Sequence, residues 1–225
     1  MEIKLNFVEL GEGFPLVLLH GNGEDHTFFS HQLEPFAQHY RVLAVDTRGH
    51  GQSPRGTAPF TLEQFAEDLK DFLDEQEIDR CHLLGFSDGA NIALLFTLKY
   101  PWYVEKLVLN GANLYYDGLV DWLQWEIAEK WNRLKDDPDP QARAEWELQD
   151  LMMTQPDLDP QCLSELDLPT LVIAGDEDVI QEEHTRMIAE SIPGCWLEIL
   201  PGNHSVAQGN PEAYNQLVLQ FLAEE

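Results

Sequence analysis

Cys81-His82-Leu83-Leu84-Gly85-Phe86-Ser87-Asp88-Gly89-Ala90-Asn91-Ile92-Ala93-Leu94-Leu95 is the stretch that decides the fold of this chain. Its opening residues form a short apolar run of the kind that makes a buried strand, and its closing residues have the apolar density of a helix. Between them, Gly85-Phe86-Ser87-Asp88-Gly89 must turn the chain sharply from one to the other. Small residues flank the serine because such a turn brings backbone segments close together. The helix start beyond it offers free N–H groups and a positive dipole end. A strand, a tight turn and a helix in succession make a βα unit, the building block of a mainly parallel sheet.

The same alternation extends in both directions. Candidate strands run from Ile3 to Leu10, Leu16 to Leu19, Val42 to Val45, Cys81 to Phe86, Lys106 to Leu109, Thr170 to Ala174 and Trp196 to Leu200. Gly11-Glu12-Gly13 reads as a tight hairpin turn between the first two, so the first strand is expected to run antiparallel to the rest. Thr61-Leu62-Glu63-Gln64 offers a capping box, followed by Leu62, Phe65, Ala66, Leu69, Phe72 and Leu73 at helical spacing. Further helices are expected over 88–100, 182–191 and 211–222, the last opening on Pro211.

From 113 to 167 the alternation stops. Trp122, Trp125 and Trp131 fall on one helical pattern and Trp146 on a second, with Asp-Asp-Pro-Asp-Pro at 136–140 between them. This reads as a small helical cap inserted after the strand ending near Gly111, with the core formed by 1–112 and 168–225. Trp122 and Trp125 are candidates for lining a pocket, since pockets are mostly apolar and aromatic. Packing of cap helices on one another is the plainer reading of the tryptophans.

The chain has 225 residues, 44% hydrophobic and 24% charged, which fits one α/β domain with a sizeable core. The start of the sequence lacks the basic and apolar stretches of a secretory signal, and no apolar run approaches the length of a membrane span. Three cysteines, 81, 162 and 195, are odd in number and far apart, which suggests neither a disulfide framework nor a zinc site. A cytoplasmic protein without metal or cofactor is the expectation. The formal charge of −28 comes from scattered carboxylates. It disfavours nucleic acid and anionic membranes as partners.

A serine hydroxyl becomes a competent nucleophile when a base lies within hydrogen-bond reach and an acid orients that base. After the strand Leu171 to Ala174 comes Gly175-Asp176-Glu177-Asp178, and after Trp196 to Leu200 comes Pro201-Gly202-Asn203-His204. These give the order serine, aspartate, histidine. His82 reads as a satisfied core histidine; His26, His31, His39, His50 and His184 show no partner pattern that points to chemistry.

Five ordered motifs now carry a resemblance: His20-Gly21-Asn22-Gly23, Asp46-Thr47-Arg48-Gly49-His50-Gly51-Gln52-Ser53, the serine turn, the G-x-x-D loop and the Gly-Asn-His loop. Together they resemble the α/β-hydrolase superfamily over nearly the whole chain. The resemblance implies an α/β-hydrolase fold, with helices on both faces of a mostly parallel sheet. It also implies a catalytic triad of Ser87, His204 and Asp178, with Asp178 preferred over Asp176. Its oxyanion hole would be the backbone N–H groups of Asn22 and Asp88. The 46–53 loop is expected to be structural. Enzymes with a carboxylate nucleophile, such as epoxide hydrolases, are disfavoured by the serine.

A serine hydrolase acting on a small carboxylic ester or related acyl bond follows from this resemblance. Carbon–carbon bond hydrolysis, aminopeptidase-like action and a non-catalytic receptor on the same fold are the alternatives. Ser-Asp-Gly is similar to the serine turn of amino-acid-ester hydrolases, where an acid beside the serine can recognise an α-amino group. Asp88, with Glu24 and Asp25 nearby, therefore points to neutral or cationic substrates.

Overall fold

The computed structural model describes residues 2–224. Among them seven strands form one sheet: β1 (Phe7–Leu10), β2 (Pro15–Leu19), β3 (Arg41–Val45), β4 (Cys81–Phe86), β5 (Val104–Asn110), β6 (Thr170–Glu177) and β7 (Trp196–Asn203). Their spatial order is β1-β3-β2-β4-β5-β6-β7. All neighbours are parallel except β1, which pairs antiparallel with β3 through Phe7 opposite Val45 and Leu10 opposite Val42. The α/β fold expected from the sequence is the one observed.

The helices are α1 (Leu33–Ala37), α2 (Leu62–Glu75), α3 (Asp88–Lys99), α4 (Asp121–Leu134), α5 (Pro140–Thr154), α6 (Glu182–Ser191), α7 (Val206–Gly209) and α8 (Pro211–Ala223). Strand side chains alternate between faces with period two, and this chain has an apolar core on each face. Val17, Leu19, Leu43, Leu83 and Leu107 pack with α2, α3 and α6. Leu16, Leu18, Val42, Leu84 and Val108 pack with α1 and α8. The interior strands are dominated by consecutive apolar residues because both faces are covered, with His82 on β4 and Lys106 on β5 among the buried polar exceptions.

Two expectations are corrected. Gly11-Glu12-Gly13 does not close a hairpin, because β3 lies between β1 and β2. The reason is burial: Leu16 to Leu19 and Val42 to Val45 are at most 1% exposed, so both strands belong inside the sheet. Glu9 and Leu10 are exposed and belong at an edge. The first strand is also shorter than expected. Ile3 and Leu5 are buried in the core but precede the strand.

Thr61 caps α2 by accepting from the Gln64 N–H at 3.2 Å. The reciprocal half of the capping box is not made, since Gln64 turns its amide to Asp68. The segment 113–167 lies between β5 and β6 and contains α4 and α5, with a break over 136–139 as expected. Trp131 donates to Asp150 Oδ1 at 2.7 Å, and its ring centroid lies 6.1 Å from that of Trp146, so these two indoles pack α4 against α5. No helix among the described residues is long and apolar enough to cross a membrane.

Candidate active site

Ser87 sits between β4 and α3 with φ 54° and ψ −121°, a conformation that ordinary side chains rarely adopt. The glycines on either side permit it by close approach. A Cβ on Gly85 would lie 2.2 Å from the Gly89 carbonyl oxygen, and one on Gly89 would lie 2.1 Å from that of Leu19. Any larger residue would force β4, α3 and β2 apart at the point where the serine is presented.

His204 follows β7 and Asp178 follows β6, so two parallel strands deliver both to the edge that carries Ser87. His204 Nε2 lies 3.0 Å from Ser87 Oγ, and His204 Nδ1 lies 2.6 Å from Asp178 Oδ1. Asp178 also accepts from the Ile180 and Gly175 N–H groups. Burial pushes the Asp178 carboxyl up, but the hydrogen bond and charge of His204, with those two N–H groups, outweigh it and hold the acid below its ordinary range. Asp176 is turned away, exposed, and accepts the Gly202 N–H at 2.8 Å. Beneath the imidazole, Gly111 has φ +64°, and a Cβ there would meet His204 Cε1 at 2.7 Å. His204 therefore has a floor of backbone, an acid behind and a hydroxyl in front.

A cavity of about 190 Å³ opens over Ser87. Phe86, Leu119, Leu123, Met152, Val179 and Ile180 form its apolar wall, while Asn22, Glu24, Asp88 and Asn113 contribute polar groups. The backbone N–H groups of Asn22 and Asp88 have no acceptor among the described residues, and both residues border the cavity. Asp88 is 6% exposed; its Oδ2 accepts from Asn22 Nδ2 at 2.8 Å. Burial raises its carboxyl, and the amides of Asn22 and Asn91 oppose that rise. Burial raises Glu24 as well, opposed by the Gly21 N–H and by His204. Among the described residues no lysine or arginine lines this cavity.

Ser87, Asp178, His204, Asn22 and Asp88 thus converge. Trp122 and Trp125 do not. They are 59% and 68% exposed, on the side of α4 away from the cavity, because helical geometry turns Leu123 and Ile127 inward instead. Their assignment to substrate binding is corrected accordingly. Sequence reasoning missed Leu123, and its signal was the aliphatic spacing Leu123, Ile127 and Leu134 within a tryptophan-rich stretch. Asn113 and Ile180 carry no local signal at all.

Three further histidines, buried, serve as acceptors for backbone N–H groups. His20 Nε2 accepts the Thr47 N–H at 3.0 Å, His50 Nε2 the Gly23 N–H at 3.1 Å and His184 Nε2 the Leu114 N–H at 2.9 Å. Burial lowers His20 and His184 each to about 4, and lowers His50 as well. His82 departs from expectation, since its buried Nδ1 has no partner and its ring packs on Phe14 and Tyr40. Asp25, His26 and Asp46 lie close enough to suggest a metal cage. Asp46, however, spends its oxygens on the backbone N–H groups of His26 and Gln52, the Asn6 side-chain amide and the His26 ring, so it braces the loop.

Comparison with known proteins agrees with this architecture. The model of the α/β hydrolase fold family matches residues 15–159. Serine hydrolase BPHL of Homo sapiens is 30% identical over 260 residues, spanning 98% of this chain and 83% of that protein. A solved hydrolase from Pseudomonas aeruginosa PA01 superposes with a TM-score of 0.78 at 28% identity, covering 99% of this chain and 95% of its own. A thermophilic esterase from Thermogutta terrifontis shares the fold, with a TM-score of 0.82 at 23% identity over 98% and 93%. The chain belongs to the α/β hydrolase fold family, and it is an enzyme of that family.

Proposed function

We propose that the protein is a serine hydrolase that cleaves a small carboxylic ester or related acyl bond by way of an acyl-enzyme. The observation that carries this reading is the continuous chain Ser87 Oγ, His204 Nε2, His204 Nδ1, Asp178 Oδ1, with links of 3.0 and 2.6 Å. Ser87 attacks the carbonyl carbon while His204 takes its proton, and Asp178 holds the tautomer and stabilises the imidazolium that forms. The negative charge on the tetrahedral oxygen is met by the N–H groups of Asn22 and Asp88. His204 then gives the proton to the leaving group, and water, activated by the same histidine, releases the acid.

In this reading the segment 113–167 acts as a cap that supplies part of the wall and limits its size. The cavity lies below the roughly 300–1,000 Å³ of common ligand pockets, which favours short acyl groups. Substrates are neutral or cationic, because Asp88 and Glu24 border the cavity without any cationic side chain and the chain carries −28 overall. Asp88 would pair an ammonium beside the scissile bond, and Asp88→Asn should then lower the activity ratio of aminoacyl to neutral esters. A cytoplasmic, reducing compartment belongs to the same reading, on the strength of three cysteines that form no pair.

The test is hydrolysis of p-nitrophenyl esters from acetate to octanoate, plus an aminoacyl ester, by wild type and Ser87→Ala. Short esters should be cleaved best, and Ser87→Ala should lose about 10⁴-fold or more in kcat. Labelling of Ser87 by a fluorophosphonate without any ester cleavage would turn the reading toward carbon–carbon or peptide bonds. Absence of both turnover and labelling would indicate a receptor.

A further inference from the structure

Asn22 contributes more than a peptide N–H. Its Nδ2 carries two hydrogens, and each has a separate acceptor: Asp88 Oδ2 at 2.8 Å and the Leu148 carbonyl at 3.1 Å. Asp88 opens α3, directly after the serine, and Leu148 lies within α5. The backbone N–H groups of Asn22 and Asp88 are the same two proposed to meet the oxyanion. One carboxamide therefore spans the two residues of the hole and fastens both to the helix that brings Met152 to the cavity wall.

We infer that the Asn22 side chain is a positioning residue that sets the geometry of the oxyanion hole and couples it to the seating of α5. The inference rests on the serine hydrolase reading above. Oxyanion donors act only when held about 2.7–3.1 Å from the developing charge. In the 20–23 loop His50 and Glu24 accept the N–H groups of Gly23 and Gly21, so both flanks are anchored, while the Asn22 peptide between the two glycines is aimed by the side chain of Asn22 itself. The bond to Asp88 adds the restraint on the middle residue. Because Asp88 is the first residue of a helix rooted in the sheet, the donor on the loop is referred to the donor on the helix. Losing the brace displaces a donor without removing it.

The charge of the bridge matters as well as its length. A carboxylate at position 22 would face Asp88 Oδ2 at hydrogen-bond distance, and two carboxylates so placed share one proton. With that proton present the brace re-forms as an O–H to carboxylate bond. Without it the two groups repel and the loop swings away. The behaviour of Asn22→Asp is therefore tied to pH, which a purely packing role would not be.

The experiment measures kcat and KM for the best p-nitrophenyl ester with wild type, Asn22→Ala, Asn22→Asp and Ser87→Ala, across about pH 5 to 8, with thermal melting of each. Asn22→Ala should lose about 10- to 100-fold in kcat, less than removal of a donor, with KM changed by less than about 3-fold and Tm by less than about 5 °C. Asn22→Asp should be worse at the alkaline end. Its kcat relative to wild type at the same pH should climb about 10-fold toward the acid end. A wild-type kcat in Asn22→Ala, an effect confined to KM, or a flat ratio in Asn22→Asp overturns the inference. Turnover in Ser87→Ala within about 10-fold of wild type instead overturns the serine reading beneath it, while a Ser87→Ala crippled about 10⁴-fold beside a fully active Asn22→Ala removes the brace alone.

Discussion

Around Ser87 the loops are held by buried side chains that accept backbone N–H groups, whereas the segment 113–167, although Leu114, Leu151, Leu163 and Leu166 root it in the core, exposes the indoles of Trp122 and Trp125 and holds α5 largely through partly solvated polar contacts. On the core side, His20, His50, Asp46 and Asp178 each fix a loop by accepting such donors. Arg48, buried, forks onto Asp68 at 2.6 and 2.7 Å beneath the same loops. On the other side, α5 is tied down by the Arg55 fork on Glu147 at 2.9 Å and by Gln155 accepting the Leu62 N–H. A half-exposed ion pair of this kind contributes about 1 kcal/mol at most. Under the proposed function, the groups that would react sit where backbone donors are held by buried acceptors, and the outer part of the wall sits where the polar ties are partly solvated.

The sharpest way to break this comparison is to remove the acid that organises the core side. Asp178→Asn should cost about 10⁴-fold in kcat, since it leaves the imidazole in the wrong tautomer. Asp176→Asn, two residues away, should stay within about 3-fold, because that carboxylate serves only the Gly202 N–H and stands in solvent. Steady-state kinetics of the pair decides it. Equal losses would mean that the loop, and not the His204 contact, is what matters.

The acid side of the stability curve probes the same loops by another route. His20, His50 and His184 act as acceptors, so each must be neutral in the folded state. The folded pKa of His20 and of His184, about 4, lies below the unfolded value near 6.5. Below about pH 6.5 the unfolded chain binds protons that the folded chain refuses, so stability falls as pH drops, until the folded form also titrates near 4. Each imidazole is worth up to about 3 kcal/mol over that window. Denaturant melts at intervals from pH 7 to 4 should show this decline, and His184→Gln should flatten part of it. An unchanged midpoint across the window would show that the clamps are not needed.

Much of this was legible in the sequence, for identifiable reasons. Each strand is an apolar run ended by glycine, proline or aspartate, and the serine turn, the aspartate loop and the histidine loop sit at strand ends where period and punctuation both change. The order of the strands was harder. Nothing local in Gly11-Glu12-Gly13 says that β3 will slide between its neighbours, because adjacency depends on which strands need cover on both edges. The histidine clamps were invisible for a similar reason: His20 and Thr47 stand 27 residues apart, and the partner is a backbone N–H that any residue would supply. In 113–167 the tryptophans drew attention to the wrong face of α4. Side-chain type suggested a lining, but helical phase assigned it to Leu123.

That phase difference gives the smallest predicted effect and the most local test of the outer region. Replacing Trp122 and Trp125 together by glutamine should leave kcat/KM on every ester within about 2-fold, because both rings stand in solvent. Leu123→Ala, at a position between the two tryptophans, removes apolar volume from the cavity wall itself. A methylene in a pocket is worth about 1–3 kcal/mol, so the preferred acyl chain should lengthen by one or two carbons, with roughly 10-fold loss on the shortest ester. The p-nitrophenyl series reads both variants in one assay. If the tryptophan pair moved the chain-length optimum and Leu123→Ala did not, α4 would have to turn over when substrate binds, and the wall would be a moving part whose resting face differs from its working one.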